Sequence, residues 1–337
     1  MGRPICAAHS LKWYLATMRL VPARRTPTEY AAMAEIWNAQ YPDLPETAEE
    51  FRDADERRPD RFPFARYMVM EDDRIIGYLT YGQTHWCYHP QRYHFTIQIA
   101  SSYRRRGYGS CCLEFLETTA TSDGMDRLFT SILESHEESR AFLARHGFAL
   151  VQRNPISELN LQGFDLSAHR GHLDRALAQG IRFVKAEDLV AQDPSQLRNL
   201  YHLACEVESD TPQSGKYEPP TFEDWIKGSW EAPTTVRESW IVAVDGGQLC
   251  GYTVFAIRGG NPKRLGVEMT GVARAHRRRG IASALKYLSI QDAIERGADV
   301  IVTDNEESNP MFQINLTFGF VPKPAWATYE KLLRNSG

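Results

Sequence analysis

The chain contains one unit written twice, and this repeat constrains the fold more than any other feature of the sequence. Arg104-Arg105-Arg106-Gly107-Tyr108-Gly109-Ser110 recurs 173 residues later as Arg277-Arg278-Arg279-Gly280-Ile281-Ala282-Ser283. Three further blocks keep the same order and spacing. Tyr67-Met68-Val69-Met70 answers Trp240-Ile241-Val242-Ala243 at 173 residues, Gly77-Tyr78 answers Gly251-Tyr252 at 174, and Gly147-Phe148 answers Gly319-Phe320 at 172. The openings, Arg19-Leu20-Val21-Pro22-Ala23 and Arg182-Phe183-Val184-Lys185-Ala186, stand only 163 apart. The second copy therefore carries about ten extra residues, placed around Asp210 to Pro220, where Pro-Gln-Ser-Gly-Lys and Glu-Pro-Pro read as loop. The chain divides into an N-terminal extension (1–17), a first domain (18–162), a linker (163–180) and a second domain (181–337). Leu166 to Gly180 is polar with some helical character and reads as linker or bridging helix.

Within each copy helical and strand patterns alternate. Tyr30, Met33, Ala34, Trp37 and Tyr41 mark one face of a helix. Strand-like runs follow at Arg66–Glu71, Ile75–Tyr81 and Phe95–Ala100, with counterparts at Trp240–Val244, Cys250–Ile257 and Leu265–Ala273. Asp72-Asp73 and Asp245-Gly246-Gly247 are tight-turn signals, so the first two runs of each copy make a hairpin. A helix follows each glycine motif, with Tyr108, Cys112, Phe115 and Thr119 on its face in the first copy and Ile281, Leu285 and Leu288 in the second. Then come a short strand (Leu128–Leu133; Val300–Thr303), another helix and Gly-Phe. The expected fold is α/β, two tandem domains that each have a mixed, mostly antiparallel sheet flanked by helices.

Composition narrows the function. With 42% hydrophobic and 24% charged residues among 337, the chain is neither collagen-like, coiled-coil nor disordered. A net charge of −4, from 39 basic and 43 acidic residues, argues against a dedicated nucleic-acid binder. Six cysteines show no C-x-x-C pair and no zinc spacing, so reduced core thiols and no metal are expected. There is no run of 18 apolar residues and no signal-peptide core, which points to the cytoplasm and away from membranes.

The glycine motif lies between a strand and a helix in both copies. Successive backbone N–H groups at a helix N-terminus favour an anion such as pyrophosphate, and the glycines let the ligand approach closely. No Gly-Lys-Ser/Thr closes it, so it is not a Walker loop, and Gly-x-Gly-x-x-Gly is incomplete in both copies. Ile99-Ala-Ser-Ser-Tyr-Arg104-Arg-Arg-Gly107-Tyr-Gly109 and Val272-Ala-Arg-Ala-His-Arg277-Arg-Arg-Gly280-Ile-Ala282 resemble motif A of the GNAT superfamily of acetyl-CoA-dependent N-acetyltransferases. Thr270-Gly271-Val272, followed by Thr303-Asp-Asn305, Asn309-Pro-Met311, Ile314-Asn315 and Gly319-Phe320, resembles the C-terminal half of bacterial tandem GNAT proteins. The tandem arrangement distantly resembles that of mycothiol synthase.

The resemblance implies acetyl-CoA as cosubstrate. Its pantetheine arm would run along the fourth strand, entering where the fourth and fifth strands part. The loops Arg104, Arg105, Arg106, Gly107, Gly109, Ser110 and Arg277, Arg278, Arg279, Gly280, Ala282, Ser283 would hold the pyrophosphate. Amides near Ile99 and Val272 would face the thioester carbonyl, and Asn305 and Asn309 join the cofactor set. Ser308 occupies the register where the family has an asparagine, with Asn309 beside it.

An amine acceptor must lose a proton before attack. Glu268 lies four residues before Val272, on the same face by the period-two rule, and is the expected general base. The first copy has no acid on that strand, only Gln98, so catalysis is expected mainly in the second domain. The family's tyrosine acid, four residues before Gly-Phe, is replaced by Leu143 and Asn315. His136 reads as a surface histidine at a helix start. Acidic stretches, Asp43 to Glu56 and Glu206 to Asp224, fall where the family's acceptor pocket lies and read either as attraction for a cationic amine or as solvated helix faces. The expected activity is direct acetyl transfer from acetyl-CoA to a primary amine of a small molecule. The alternative is a non-catalytic or regulatory acetyl-CoA-binding protein. No nucleic acid, membrane or metal is expected as a partner, and the chain is expected to be a monomer or homodimer.

Overall fold

A computed structural model describes residues 18–84, 88–122, 124–212 and 215–333. The N-terminal extension with Cys6, and Cys87, lie outside the described residues. The first copy runs β1 (Met18–Pro22), α1 (Pro27–Gln40), α2 (Ala48–Glu56), β2 (Phe64–Glu71), β3 (Arg74–Gly82), β4 (Arg92–Ile99), α3 (Tyr108–Ser122), β5 (Arg127–Leu133), α4 (Glu137–Arg145) and β6 (Ala149–Asn160). After α5 (Arg170–Leu177), the second copy runs β7 (Arg182–Lys185), α6 (Ala186–Gln192), α7 (Gln196–Ser209), α8 (Phe222–Trp225), β8 (Thr235–Asp245), β9 (Gln248–Ile257), β10 (Arg264–Val272), α9 (Ile281–Glu295), β11 (Val300–Asp304), α10 (Pro310–Thr317) and β12 (Val321–Leu332).

Local chemistry accounts for the elements. Thr26 with Glu29 and Thr47 with Glu50 form complete capping boxes at the starts of α1 and α2. Asp72, in the left-handed region at φ 51°, turns β2 into β3, and Gly246 and Gly247 do the same between β8 and β9. The offset between the copies grows from 164 residues at β1 and β7 to 169 at α1 and α7 and 173 at β2 and β8. Only about half of the extra residues expected around Asp210 to Pro220 therefore follow α7; the rest precede it, where α6 has no counterpart in the first copy.

The strands form one sheet in the order β1-β2-β3-β4-β5-β12-β6-β11-β10-β9-β8-β7. Among the described residues only β4–β5 and β10–β11 are parallel. The two halves mirror each other, but their last strands are exchanged: β12 pairs with β5, β6 pairs with β11, and β6 and β12 pair with each other at the centre. A sheet for each copy is what the repeat alone suggests; pairing every inner edge joins the two into a continuous sheet and leaves no exposed seam.

Alternation along the strands assigns the faces. Tyr78 packs with Tyr30, Met33 and Ile36 of α1, and the next residue, Leu79, packs with Leu113 and Leu116 of α3 on the other side. In the second copy Trp240 and Val242 face α7 and Trp225 of α8, whereas Ile241 and Ala243 face α9. The segment between the copies is structural: Leu173 and Ala176 of α5 are buried against α9 in the second core.

Candidate active site

The two arginine-glycine loops have the same backbone. Ala100 and Ala273 have φ/ψ of −53°/140° and −52°/141° ahead of a short 3-10 turn, and Arg104 and Arg277 have −68°/163° and −67°/164° after it. Arg105 and Arg278 both sit in the left-handed region, at φ 63° and 62°, and Gly107 and Gly280 follow at 90° and 77°. A non-glycine residue costs about 1–2 kcal/mol there, so its occurrence at equivalent places marks one built loop used twice. The sequence leads straight to an α-helix in each copy, whose first N–H groups point at the loop.

Most of the arginine side chains are occupied. Arg104 Nε donates to the Ile99 carbonyl at 2.9 Å and Arg277 Nε to the Val272 carbonyl at 3.0 Å. Their outer nitrogens bond Gln40 and Asp210, the residues at the ends of α1 and α7. Arg106 donates to the Ser102 carbonyl at 2.9 Å, and Arg279 pairs with Asp245 at 2.5 Å. Arg105 and Arg278 are exposed. An anion at either loop therefore meets chiefly backbone N–H groups and the summed positive field of the triplet. Gly109 and Ser110 lie in the first turn of α3, Ala282 and Ser283 in that of α9. Asn309 is spent as the N-cap of α10, accepting from Met311 N at 2.9 Å, and Asn305 accepts from Asn315 at 2.7 Å.

Beside each loop two parallel strands part. β4 and β5 pair only over Arg92–His94, and β10 and β11 only over Arg264–Gly266. The far halves of β4 and β10 keep one ladder, to β3 and β9, so their other edge offers backbone groups to an extended, amide-bearing ligand. In the first copy the gap continues into a cavity of about 500 Å³ lined by Ile97, Ile99, Thr130, Arg105, Gly107, Ser110, Phe142 and His146. Its width, strand edge and amide loop suit a long ligand ending in phosphates. His136 touches two residues that line it, with Nδ1 2.8 Å from Gln40 Nε2 and its ring against Tyr41. Burial and the nearby Arg104 charge lower its pKa.

A second cavity of about 500 Å³ opens beside β10. Glu208, Tyr217, Trp225, Trp240, Tyr252, Glu268 and Met269 line it from the second copy. Arg57, Phe129, Ser131, Gln152, Asn154 and Thr328, from other parts of the sheet and from the end of α2, complete it. Glu268 stands at a β-bulge, where the register moves from Val267↔Phe255 to Met269↔Val254. The bulge overturns the period-two expectation that Glu268 and Val272 share a face. Val272 packs into the α9 side of the core, while Glu268 and Met269 line the cavity on the α7 side. β4 runs without a bulge and carries Phe95, buried in the α3 side of the core, at the equivalent position.

Glu268 forms an ion pair with Arg258 at 3.0 Å. Glu208, in the last turn of α7, accepts a hydrogen bond from the Tyr217 hydroxyl at 2.8 Å. Burial pushes the Glu208 carboxyl up to about 7, against the lowering effect of the Tyr217 bond and with help from the Glu268 charge. The sequence places Glu208 in an acidic run but gives no reason to separate it from its neighbours; the fold does. Glu206 accepts from Arg274 N at 2.8 Å and Asp210 holds Arg274 and Arg277, so those two carboxylates brace the loop. Tyr217 comes from the segment between α7 and α8, which carries no readable motif. In the first acidic run, Asp55 is buried against Arg66 and Tyr30, and Glu50 accepts from Gly259 N at 2.8 Å, joining the copies. Leu143 and Asn315, which stand at the family's tyrosine position, are both buried.

Comparisons with known proteins agree with this geometry. The model of the acetyltransferase (GNAT) family matches residues 30–148 and 197–318. A tandem GNAT protein from the clavulanic acid biosynthesis pathway is similar in structure, with TM-score 0.70, 17% identity and coverage of 95% of this chain and 100% of that one. A GCN5-related N-acetyltransferase from Sphaerobacter thermophilus gives 0.67 and 17%, covering 95% and 96%. A glucosamine N-acetyltransferase region of a fungal multi-domain β-N-acetylglucosaminidase gives 0.69 and 14%, covering 94% of this chain and 38% of that one. No curated protein matches the sequence. Two family matches on two copies of one loop and one pair of parting strands place the chain in the GNAT acetyltransferase family, as a tandem member.

Proposed function

We propose that this protein transfers acetyl from acetyl-CoA directly to the primary amine of a small molecule, and that the second copy carries the chemistry. The observation that supports this is the cavity beside β10, where two carboxylates, Glu208 and Glu268, stand among Trp225, Trp240, Tyr217 and Tyr252. Carboxylates raise the local concentration of a cationic amine, and aromatic faces attract the cation and pack its carbon body. The parting of β10 and β11 at Val267 opens next to the same residues, so a thioester lying along that strand edge would meet the amine there. Backbone N–H groups near Val272 would face its carbonyl oxygen, where a fixed donor stabilises developing negative charge. The matching loop and cavity of the first copy would hold a second acetyl-CoA.

No helix among the described residues is long and apolar enough to cross a membrane. A cytoplasmic setting belongs to this reading. The lack of a tyrosine at positions 143 and 315 favours a second reading, a protein that binds acetyl-CoA without turning it over. CoA-thiol release with a panel of aliphatic, aromatic and sugar amines separates the two. Turnover is expected with at least one amine, with acetylated product confirmed by mass. Glu268→Gln should raise KM for that amine several-fold and leave acetyl-CoA affinity unchanged. Acetyl-CoA binding without release on any amine would leave the second reading standing.

A further inference from the structure

We propose that Glu208, held by the Tyr217 hydroxyl, accepts the amine proton in this cavity, while Glu268 remains an ion pair with Arg258. This rests on the reading of the cavity as the acceptor site and assigns the residues within it.

Both carboxylates line the cavity, but their settings differ. Glu268 has a guanidinium at 3.0 Å. That ion pair is a charge-assisted bond, and a carboxylate held in it suits the task of attracting a cation. The charges of Glu46 and Glu50 of the first copy also favour the charged form of Arg258. Among the described residues no cation is paired with Glu208. The groups that face it are the Tyr217 hydroxyl from the α7–α8 loop, Cys205 on its own helix, Tyr252 on β9, and the like charge of Glu268 on β10. It also stands at the C-terminal end of α7, where the unsatisfied carbonyls carry partial negative charge and disfavour a carboxylate. Burial, the Glu268 charge and the helix end make proton uptake easier, against the opposing effect of the Tyr217 bond, and a base whose pKa lies near the working pH combines availability with driving force.

Tyr217 is a positioning residue. Its hydroxyl donates to Oε2 of Glu208 at 2.8 Å and fixes the rotamer. The loop that carries it is tied down on both sides, by Tyr88 N donating to the Lys216 carbonyl at 2.7 Å and by Arg61 donating to the Pro219 carbonyl at 2.9 Å. The first copy thus helps to hold the proton acceptor of the second.

In the step, the ammonium group gives one proton to Glu208 and becomes a neutral amine. The nitrogen lone pair forms the C–N bond at the thioester carbonyl carbon. The C–S bond breaks, and its electron pair leaves on sulfur. The second nitrogen proton goes to that thiolate, giving the amide and CoA thiol, and Glu208 returns its proton to water.

The test uses the full chain, acetyl-CoA and an amine that the wild type acetylates. Wild-type kcat/KM should show an acid limb near pH 7. Glu208→Gln should lose about 100- to 10,000-fold at neutral pH and lose that limb, with acetyl-CoA affinity by calorimetry unchanged as the control for folding. Tyr217→Phe should stay active with the limb moved to higher pH, because the phenol bond favours the charged carboxylate. Glu268→Gln should keep the limb and raise KM. Turnover by Glu208→Gln with the wild-type limb, or loss of the limb in Glu268→Gln instead, overturns this assignment alone. If the wild type releases no CoA with any amine, the acetyltransfer reading itself falls, and the assignment falls with it.

Discussion

Gly251 gives the shared Gly-Tyr dipeptide its physical reason. A Cβ there would lie 2.9 Å from the Gly271 carbonyl oxygen and 3.2 Å from Leu285 Cδ1, and at Gly77 it would run into the Gln98 carbonyl. In both copies the third strand passes so close to the fourth that only hydrogen fits, and the following tyrosine, Tyr78 or Tyr252, turns into the opposite core. Gly251→Ala should cost about 1–3 kcal/mol by overpacking, read as a fall in the urea midpoint with an unchanged m-value. A neutral result would mean that the strand can shift, and that the repeat of this glycine has another cause. At this scale the sequence was informative wherever one residue type alone satisfies the backbone, as in the glycines and the loop. It was blind at Glu268. Alternation assigns a side to every strand residue, and a bulge, which changes the side, leaves no mark in the pattern of a single strand.

The helix α9 shows the same limit one level up. Its polar residues Lys286, Ser289 and Asp292 are buried along with Ile281, Leu285 and Ile290, because the sheet covers one side and α5 another. Helical spacing predicts the face toward the sheet. It cannot reveal that a segment read as linker would close the other face. Asp292 is answered by Lys185 at 2.5 Å and Arg296 at 2.6 Å, whereas Lys286 meets the ring of Phe320 at 5.1 Å. Burial lowers the Lys286 pKa to about 7. The unfolded chain, with an ordinary lysine, then binds more protons than the folded one between about pH 7 and 10. Stability from this group therefore rises with pH across that window, by at most about 1.4 kcal/mol per unit. Lys286→Met should be more stable than the wild type at pH 7 and should lose most of the rise toward pH 10 in chemical denaturation. Parallel wild-type and variant curves would show that the lysine finds a partner in solution.

The whole molecule is more than two copies side by side. Exchange of β6 and β12 makes one sheet, and the α7–α8 loop, Arg57 and Glu50 reach across the junction, so the cavity beside β10 is lined by both halves. The repeat, the loops and the α/β class were all legible because they recur as local patterns. The exchange was not, since β6 and β12 pair with either neighbour on equal local terms and the choice depends on chain path. Nor was the cavity, whose walls come from segments far apart in sequence. The loop glycines separate the contributions of the two copies. Gly280 is left-handed at φ 77° with open space beside it, so Gly280→Trp should fill the approach to the second loop without disturbing the core, and Gly107→Trp, at φ 90°, should do the same in the first. The decisive measurement is acetyl transfer to an accepted amine by these two variants and the wild type, alongside calorimetric acetyl-CoA titrations that count sites. Each variant should lose one site. Gly280→Trp should lose turnover and Gly107→Trp should retain most of it. Turnover that survives Gly280→Trp and disappears in Gly107→Trp would place the chemistry in the first copy and contradict the account.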